Sequence, residues 1–453
     1  MGQRGLSFRV FALCVATACV HLLAACGHDD GGQSGGSVPA ARWARTYGGT
    51  SADVASSVQP TADGGYIIAG STSSFGAGDW DAWVLKLDAK GNVLWQKTYG
   101  GAGEDGASAV QPTTDGGYLV VGYTRPLGRW PDAWVFKLDG SGNILREGTY
   151  GSPNGEYSLS VEPTSAGGFM LASGHQGLHA GMNANAVNVM GLDAGGNISW
   201  SRAHYIFDSY SGYVQPTADG GYVVASGSAW VAKMDPNGGF TWQKRFAPSL
   251  GVRYYTLAMR STADGGYVIA GWTEFGFDGN RDALAMKLGS SGDVIWQKTY
   301  GGAGTDYAVD VRPTPDGGYL VVGSTTSFGA GGTDAWLMKL DASGNIIRQL
   351  TYGGAGDDAA SAVQSTADGG YVIAGYTASF GAGGRDAWLM KVDANGAIPG
   401  CALIASSGAM AVVGSATEYD ADTVVVPGTG TLVSHTAVSA ESTAVASEQC
   451  RND

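Results

Sequence analysis

An unbroken apolar run that follows a glycine turn recurs seven times along this chain. Its first copy is Tyr66-Ile67-Ile68-Ala69-Gly70 after Ala62-Asp63-Gly64-Gly65. A strand covered on both faces reads as a continuous run of this kind, whereas a half-solvated strand alternates. Three further segments flank each run. In the first copy they are Ala55 to Thr61, Asp81 to Asp88 and Val93 to Tyr99, the last two joined by the turn Asp88-Ala89-Lys90-Gly91-Asn92. Glycine supplies the positive φ that such turns need. The D-G-G-Y element starts at Asp63, Asp115, Ala166, Asp219, Asp264, Asp316 and Asp368, at spacings of 52, 51, 53, 45, 52 and 52 residues. A fixed period in this range, in units made only of strands, predicts an all-β, seven-bladed β-propeller of four-stranded blades.

The ends of the array do not match. Arg42 to Tyr47 is a fourth-strand sequence with no first three strands before it, and the last repeat breaks at Ala397-Ile398-Pro399-Gly400 where its fourth strand is due. The N-terminal strand is therefore expected to complete blade seven, antiparallel to the strand around Trp388 to Val392, and to close the ring without an open edge. Tryptophan occupies two repeat positions: 83, 134, 230, 336 and 388 in third strands, and 43, 95, 200, 242 and 296 in fourth strands, where Arg146 and Arg348 replace it. Aromatic packing between blades is the expected role.

Thr98-Tyr-Gly-Gly-Ala-Gly-Glu-Asp105, Gly117-Tyr118 to Thr124 and Asp132-Ala-Trp-Val-Phe-Lys-Leu-Asp139 resemble the seven-bladed propeller repeat of many secreted bacterial proteins, over about residues 43 to 398. A weaker likeness, through Leu87-Asp88 to Trp95, is to quinoprotein-type propeller repeats, whose lipoprotein members include scaffolds for outer-membrane assembly. The resemblance implies the fold and leaves the ligand open.

Outside the repeats the chain divides further. Arg4 and Arg9 precede an apolar stretch, Val10 to Ala25, which has signal-peptide length and is short for a membrane span. It ends Leu23-Ala24-Ala25-Cys26, similar to a bacterial lipobox. That likeness implies cleavage before Cys26, lipidation of its sulfur, and an outer-membrane address favoured by Gly27; a plain signal peptide is the alternative. The expected organisation is a signal peptide over 1–25, a flexible tether over 26–42, the propeller over 43–400 and a C-terminal appendage over 401–453. Cys401 and Cys450 are the cysteines left to pair in an oxidising compartment. The intervening segment reads as a small stapled appendage or a partly disordered tail, with strands near Ala409 to Val413 and Thr423 to Val426.

Most of the 75 glycines fall at fixed repeat positions, so they do not signal a disordered chain. A net charge of −14 disfavours nucleic acid and anionic lipid as partners. Candidate chemistry is sparse. Asp53, Asp81, Asp105 and Asp132, with copies at 282, 306, 334, 358 and 386, should gather on one face. There they either attract Ca²⁺ or fix their own loops through backbone N–H groups. Trp80 and Trp130 fall in equivalent loops outside the packing positions and are candidate ligand contacts, with loop packing the alternative. His175 and His179 lie four apart in a loop of blade three, without a clear third metal ligand. The T-x-D-x-G strings resemble the Asp box of sialidase propellers only in part and read as turns, and no arginine cluster suited to a carboxylate substrate stands out. The leading expectation is a monomeric, non-catalytic binding or scaffold lipoprotein whose propeller face takes an envelope protein or glycan. An envelope glycan hydrolase or lyase is the alternative.

Overall fold

The computed structural model describes residues 42–398, except 128–129, 151–154, 180–181, 207–211, 228, 248–251 and 276–279, together with six backbone segments between 404 and 452. Cys26 and Cys401 lie outside the described residues. The protein is an all-β propeller of seven blades, each with four antiparallel strands, arranged in a ring. Blade one runs Asp53–Pro60, Tyr66–Thr72, Asp81–Leu87 and Val93–Gly100, from the inner to the outer strand. Its second and third strands are buried throughout, which is the physical origin of the unbroken apolar runs. Blade seven takes its outer strand from the N-terminus: Arg42–Gly48 pairs antiparallel with Asp386–Val392, Trp43 opposite Lys391 and Tyr47 opposite Ala387.

The W-x-K-T-Y strand links each blade to the next. Four fourth-strand tryptophans donate their indole N–H to a turn carbonyl of the following blade: Trp43 to Ala89 at 3.4 Å, Trp95 to Gly140 at 3.2 Å, Trp242 to Ser290 at 3.1 Å and Trp296 to Ala342 at 2.9 Å. The tyrosine hydroxyls donate to the glycine carbonyl of such turns: Tyr47 to Gly91 at 2.7 Å, Tyr99 to Gly142 at 2.7 Å, Tyr300 to Gly344 at 2.8 Å and, in a strand with Arg348 in place of tryptophan, Tyr352 to Gly396. The basic residue between them binds the turn's Asn or Asp, as in Lys97 to Asn143 at 2.8 Å. The hydrophobic clusters also straddle blades. One joins Trp43 and Tyr47 to Tyr66, Trp83 and Leu85 of blade one and to Val372 and Leu389 of blade seven.

The tail departs from a small appendage. Its segments add a fifth antiparallel strand to blade after blade: Ile404–Ser406 on blade six, Met410–Val413 on five, Thr417–Tyr419 on four, Val424–Pro427 on three, Val438–Glu441 on one and Val445–Asn452 on seven. From Met410 the starts are seven residues apart, with one doubled step, Val424 to Val438, falling at blade two. Blade two carries no fifth strand among the described residues. The physical reason for the departure is edge pairing: each outer strand offers unpaired N–H and C=O groups, and a Val/Ala/Thr-rich tail with turn residues every seventh position satisfies them.

Candidate functional site

The aspartates come together in pairs at the boundaries between blades. Each pair joins the start of one blade's third strand to the start of the next blade's first strand, with the first glycine of Y-G-G between them. A Cβ on Gly48 would lie 2.3 Å from an Asp386 oxygen and 2.6 Å from one of Asp53; at Gly100 the values are 2.4 Å to Asp81 and 2.6 Å to Asp105. Glycine stands there because two carboxylates occupy the space of a side chain. Asp282 with Asp306 and Asp334 with Asp358 repeat the arrangement around Gly301 and Gly353. Asp132 is half-buried at the blade two–three boundary, where Glu156 begins the next first strand.

Most of these carboxylates are engaged by their own loops. Asp53 is fully buried and accepts from Gly49 N at 2.8 Å, Ser74 Oγ at 2.7 Å and the Thr72 hydroxyl. Asp306 and Asp358 accept the matching three donors. Asp81 accepts Ala77 N at 2.9 Å and Gly78 N at 3.1 Å. These bonds use lone pairs that a cation would need. Burial, with Asp53 adjacent, pushes Asp386 up to about 6, and burial with Asp306 adjacent does the same to Asp282. The folded state therefore binds protons more tightly than the unfolded chain between about pH 4 and 6, and the stability these acids contribute at low pH is lost as pH rises through about 6. The double variant Asp282→Asn, Asp386→Asn keeps the acceptors and removes the titration. Its melting temperature is expected to fall less than the wild type's between pH 4 and 7; parallel pH profiles would contradict this.

The central channel holds a cluster that the repeat reading missed. The residue before the proline of V-x-P-T is glutamine at 59, 111 and 215, and glutamine also fills this repeat position at 364, but the equivalent positions carry Glu162, Arg260 and Arg312. The inner strands bring these together around a cavity of about 330 Å³. Arg260 lies 3.0 Å from Asp310 and 3.7 Å from Glu162, and Arg312 lies 3.6 Å from Asp310. Asp310 also accepts Val311 N and Val363 N, and Arg312 Nε donates to Val363 O at 2.8 Å. The channel thus holds an ion cluster of two arginines and two carboxylates. Its signal was the three departures from glutamine, visible only when the seven copies are aligned. Burial, reinforced by Arg260, pushes Arg312 down to about 10. Two arginines face two carboxylates, so the cluster neutralises itself and ties the inner strands of blades three, five, six and seven.

The other candidates separate. Trp80 is half-buried, bridges Glu104 through its backbone and accepts Asp105 N at 2.7 Å, whereas Trp130 is 63% exposed. His175 and His179 belong to a strand, Phe169–His179, and not to a loop. The strand extends because its partner, Met182–Leu192, is equally long and pairs with it throughout. His204 is fully buried against Phe240, and burial pushes it down to about 4, which makes it a neutral core residue. The T-x-D-x-G strings are turns, as read: Thr113 and Lys137 bind Asp115 and hold its carboxyl at about 2.

On the loop face blade two departs from blades one, six and seven. In blades one, six and seven a Ser-Phe pair closes the 2–3 loop: Phe75, Phe328 and Phe380 lie 6.1, 5.8 and 5.9 Å from Trp83, Trp336 and Trp388. Blade two has Pro126 and Leu127 there, and Leu127 is 76% exposed. A cavity of about 340 Å³ opens beneath, lined by Gly101, Asp105, Thr124, Leu127, Trp134 and Glu147 among others.

Among solved structures the chain is similar to Sqt1 from Chaetomium thermophilum (11% identity over 77% of this chain and 98% of that one, TM-score 0.44). It is also similar to BamB from Moraxella catarrhalis (17% identity, 74% and 95% covered, TM-score 0.37) and to the Dos1 propeller (10% identity, 77% and 95% covered, TM-score 0.43). No family model and no curated protein matches the sequence. The class defined by the coordinates is the seven-bladed β-propeller.

Proposed function

We propose that the protein is a non-catalytic binding scaffold of the bacterial cell envelope, held by a lipid on Cys26, and that it takes a protein partner on the loop face of blade two. One observation carries this reading. The loop that packs a half-buried phenylalanine against the core in blades one, six and seven instead presents Leu127 and Trp130 to solvent, at 76% and 63% exposure. Exposed large apolar and aromatic side chains beside a pocket are what interface hot spots are built from. Two features add support: most of the paired acids and the channel ions are engaged in holding loops and inner strands together, and the net charge of −14 suits a basic partner. The lipobox at Leu23 to Cys26 motivates the anchor and the address.

A photo-crosslinking residue at position 127 tests the reading in envelope membranes, with position 347, exposed on the outer strand of blade six, as control. A discrete adduct to one protein is expected from 127 alone, and Trp130→Ala should lose it with the melting temperature unchanged. Adducts to glycan strands, or equal labelling from both positions, would overturn the protein-partner reading. Intact mass of membrane-extracted protein should show an acylated N-terminal Cys26, and an unmodified cysteine there would remove the anchor.

A further inference from the structure

We infer that the blade-two cavity is a receptor for an alkylammonium group, the side chain of a lysine on the docked partner. Three departures from the repeat converge on it. Serine becomes Pro126, phenylalanine becomes Leu127, and the glutamine found at 96, 243, 297 and 349 becomes Glu147. The first removes a hydroxyl donor, the second removes the plug, and the third adds a carboxylate.

The space is open by an independent measure. A Cβ added to Gly49, Gly302 or Gly354 would meet the serine and phenylalanine of its loop at 2.7–3.2 Å, whereas one added to the equivalent Gly101 meets nothing within 4 Å. The chemistry of the opening is anionic and apolar together. Asp105 is 1% exposed; one of its carboxylate oxygens accepts Gly101 N at 2.7 Å, and the other, Oδ1, has no hydrogen-bond partner. In blades one, six and seven the matching oxygen takes a threonine hydroxyl. Glu147 lines the same cavity, and Asp81 flanks Asp105 across Gly100. Arg125 stands at the rim with its guanidinium 3.0 Å from Glu104. A buried carboxylate oxygen without a donor calls for one, and a charged donor makes the stronger bond. Trp134, Pro126 and Leu127 provide the apolar lining for a methylene stem. Lysine joins such a stem to three donors on one nitrogen.

This inference rests on blade two being the docking face, and its test separates the two. Nα-acetyl-lysine-methylamide is titrated into the isotope-labelled ring, with the norleucine analogue as the uncharged control. Shifts at the Gly101, Asp105 and Leu127 amides and the Trp134 indole are expected for the lysine probe, with at least tenfold weaker binding of norleucine. Asp105→Asn should weaken the lysine probe at least tenfold. Pro126→Ser with Leu127→Phe, which restores the repeat, should abolish binding while the melting temperature holds or rises. Equal binding of both probes, or undiminished binding by the restored variant, overturns the inference. A crosslink from position 127 without a lysine-probe shift defeats the ammonium receptor and leaves the docking face standing. A specific shift without a crosslink sustains the receptor and defeats the docked protein.

Discussion

Deleting residues 42 to 48 is expected to unfold the ring as a whole, not one blade. The strand is buried along nearly its full length, with Trp43 at 1% and Tyr47 at 0% exposure. Both side chains sit in a cluster shared by blades seven and one. Loss of a buried aromatic costs about 3–5 kcal/mol each, and two of them approach the roughly 5–15 kcal/mol that holds an average domain together. The deletion also strips the outer strand from Asp386–Val392 and exposes its edge, which invites association between chains. A single cooperative loss of structure with oligomers in light scattering is the expected result. A stable monomeric deletion would contradict the role given to this strand. Tyr47→Phe is the graded version: it removes the 2.7 Å bond to Gly91 O and should cost about 1 kcal/mol, since that buried carbonyl keeps only the longer bond from the Arg45 guanidinium at 3.3 Å.

Joining Cys401 to Cys450 is expected to turn the tail into a closed hoop. The tail leaves blade seven, runs past blades six, five, four, three and one, and returns to the outer strand of blade seven. Its last strand places Cys450 opposite Ala44, and Ala44 shares a core cluster with Ile398, three residues before Cys401. A cross-link over a loop of about 50 residues contributes about 4 kcal/mol in the chain-entropy account. Cys401→Ser should therefore lower the melting temperature by about 5–10 °C and expose sites between 407 and 444 to limited proteolysis, with the ring left intact. Non-reducing peptide mapping of protein from its native compartment should recover the cross-linked pair. Free thiols at both positions would overturn the hoop.

What the sequence revealed follows from how each feature is encoded. The strand pattern repeats seven times and each tryptophan position is filled in five of the copies, so chance matches cancel. The missing outer strand showed as a gap in that count. The Asp pairs were legible as a shared face, but their partner donors, Ser74 and Thr72 for Asp53, emerge only from the folded loop. The channel cluster and the blade-two cavity are encoded in single substitutions, such as glutamine to Arg260 or phenylalanine to Leu127. These carry no pattern of their own and become signals only against the other copies. Trp80 and Trp130 looked equivalent by position. Their surroundings separate them, because the Trp80 backbone is pinned to Glu104 while the loop around Trp130 has lost its plug. The tail stayed opaque because its order is borrowed: each short segment pairs with an edge supplied by the ring.

Hydrogen exchange of the ring, free and bound to the partner captured at position 127, tests the central claim most directly because it reports on every surface at once. Protection concentrated in residues 100–105 and 124–130 is the predicted result. Protection confined to the channel strands around Arg260, Asp310 and Arg312, with blade two unchanged, would contradict it.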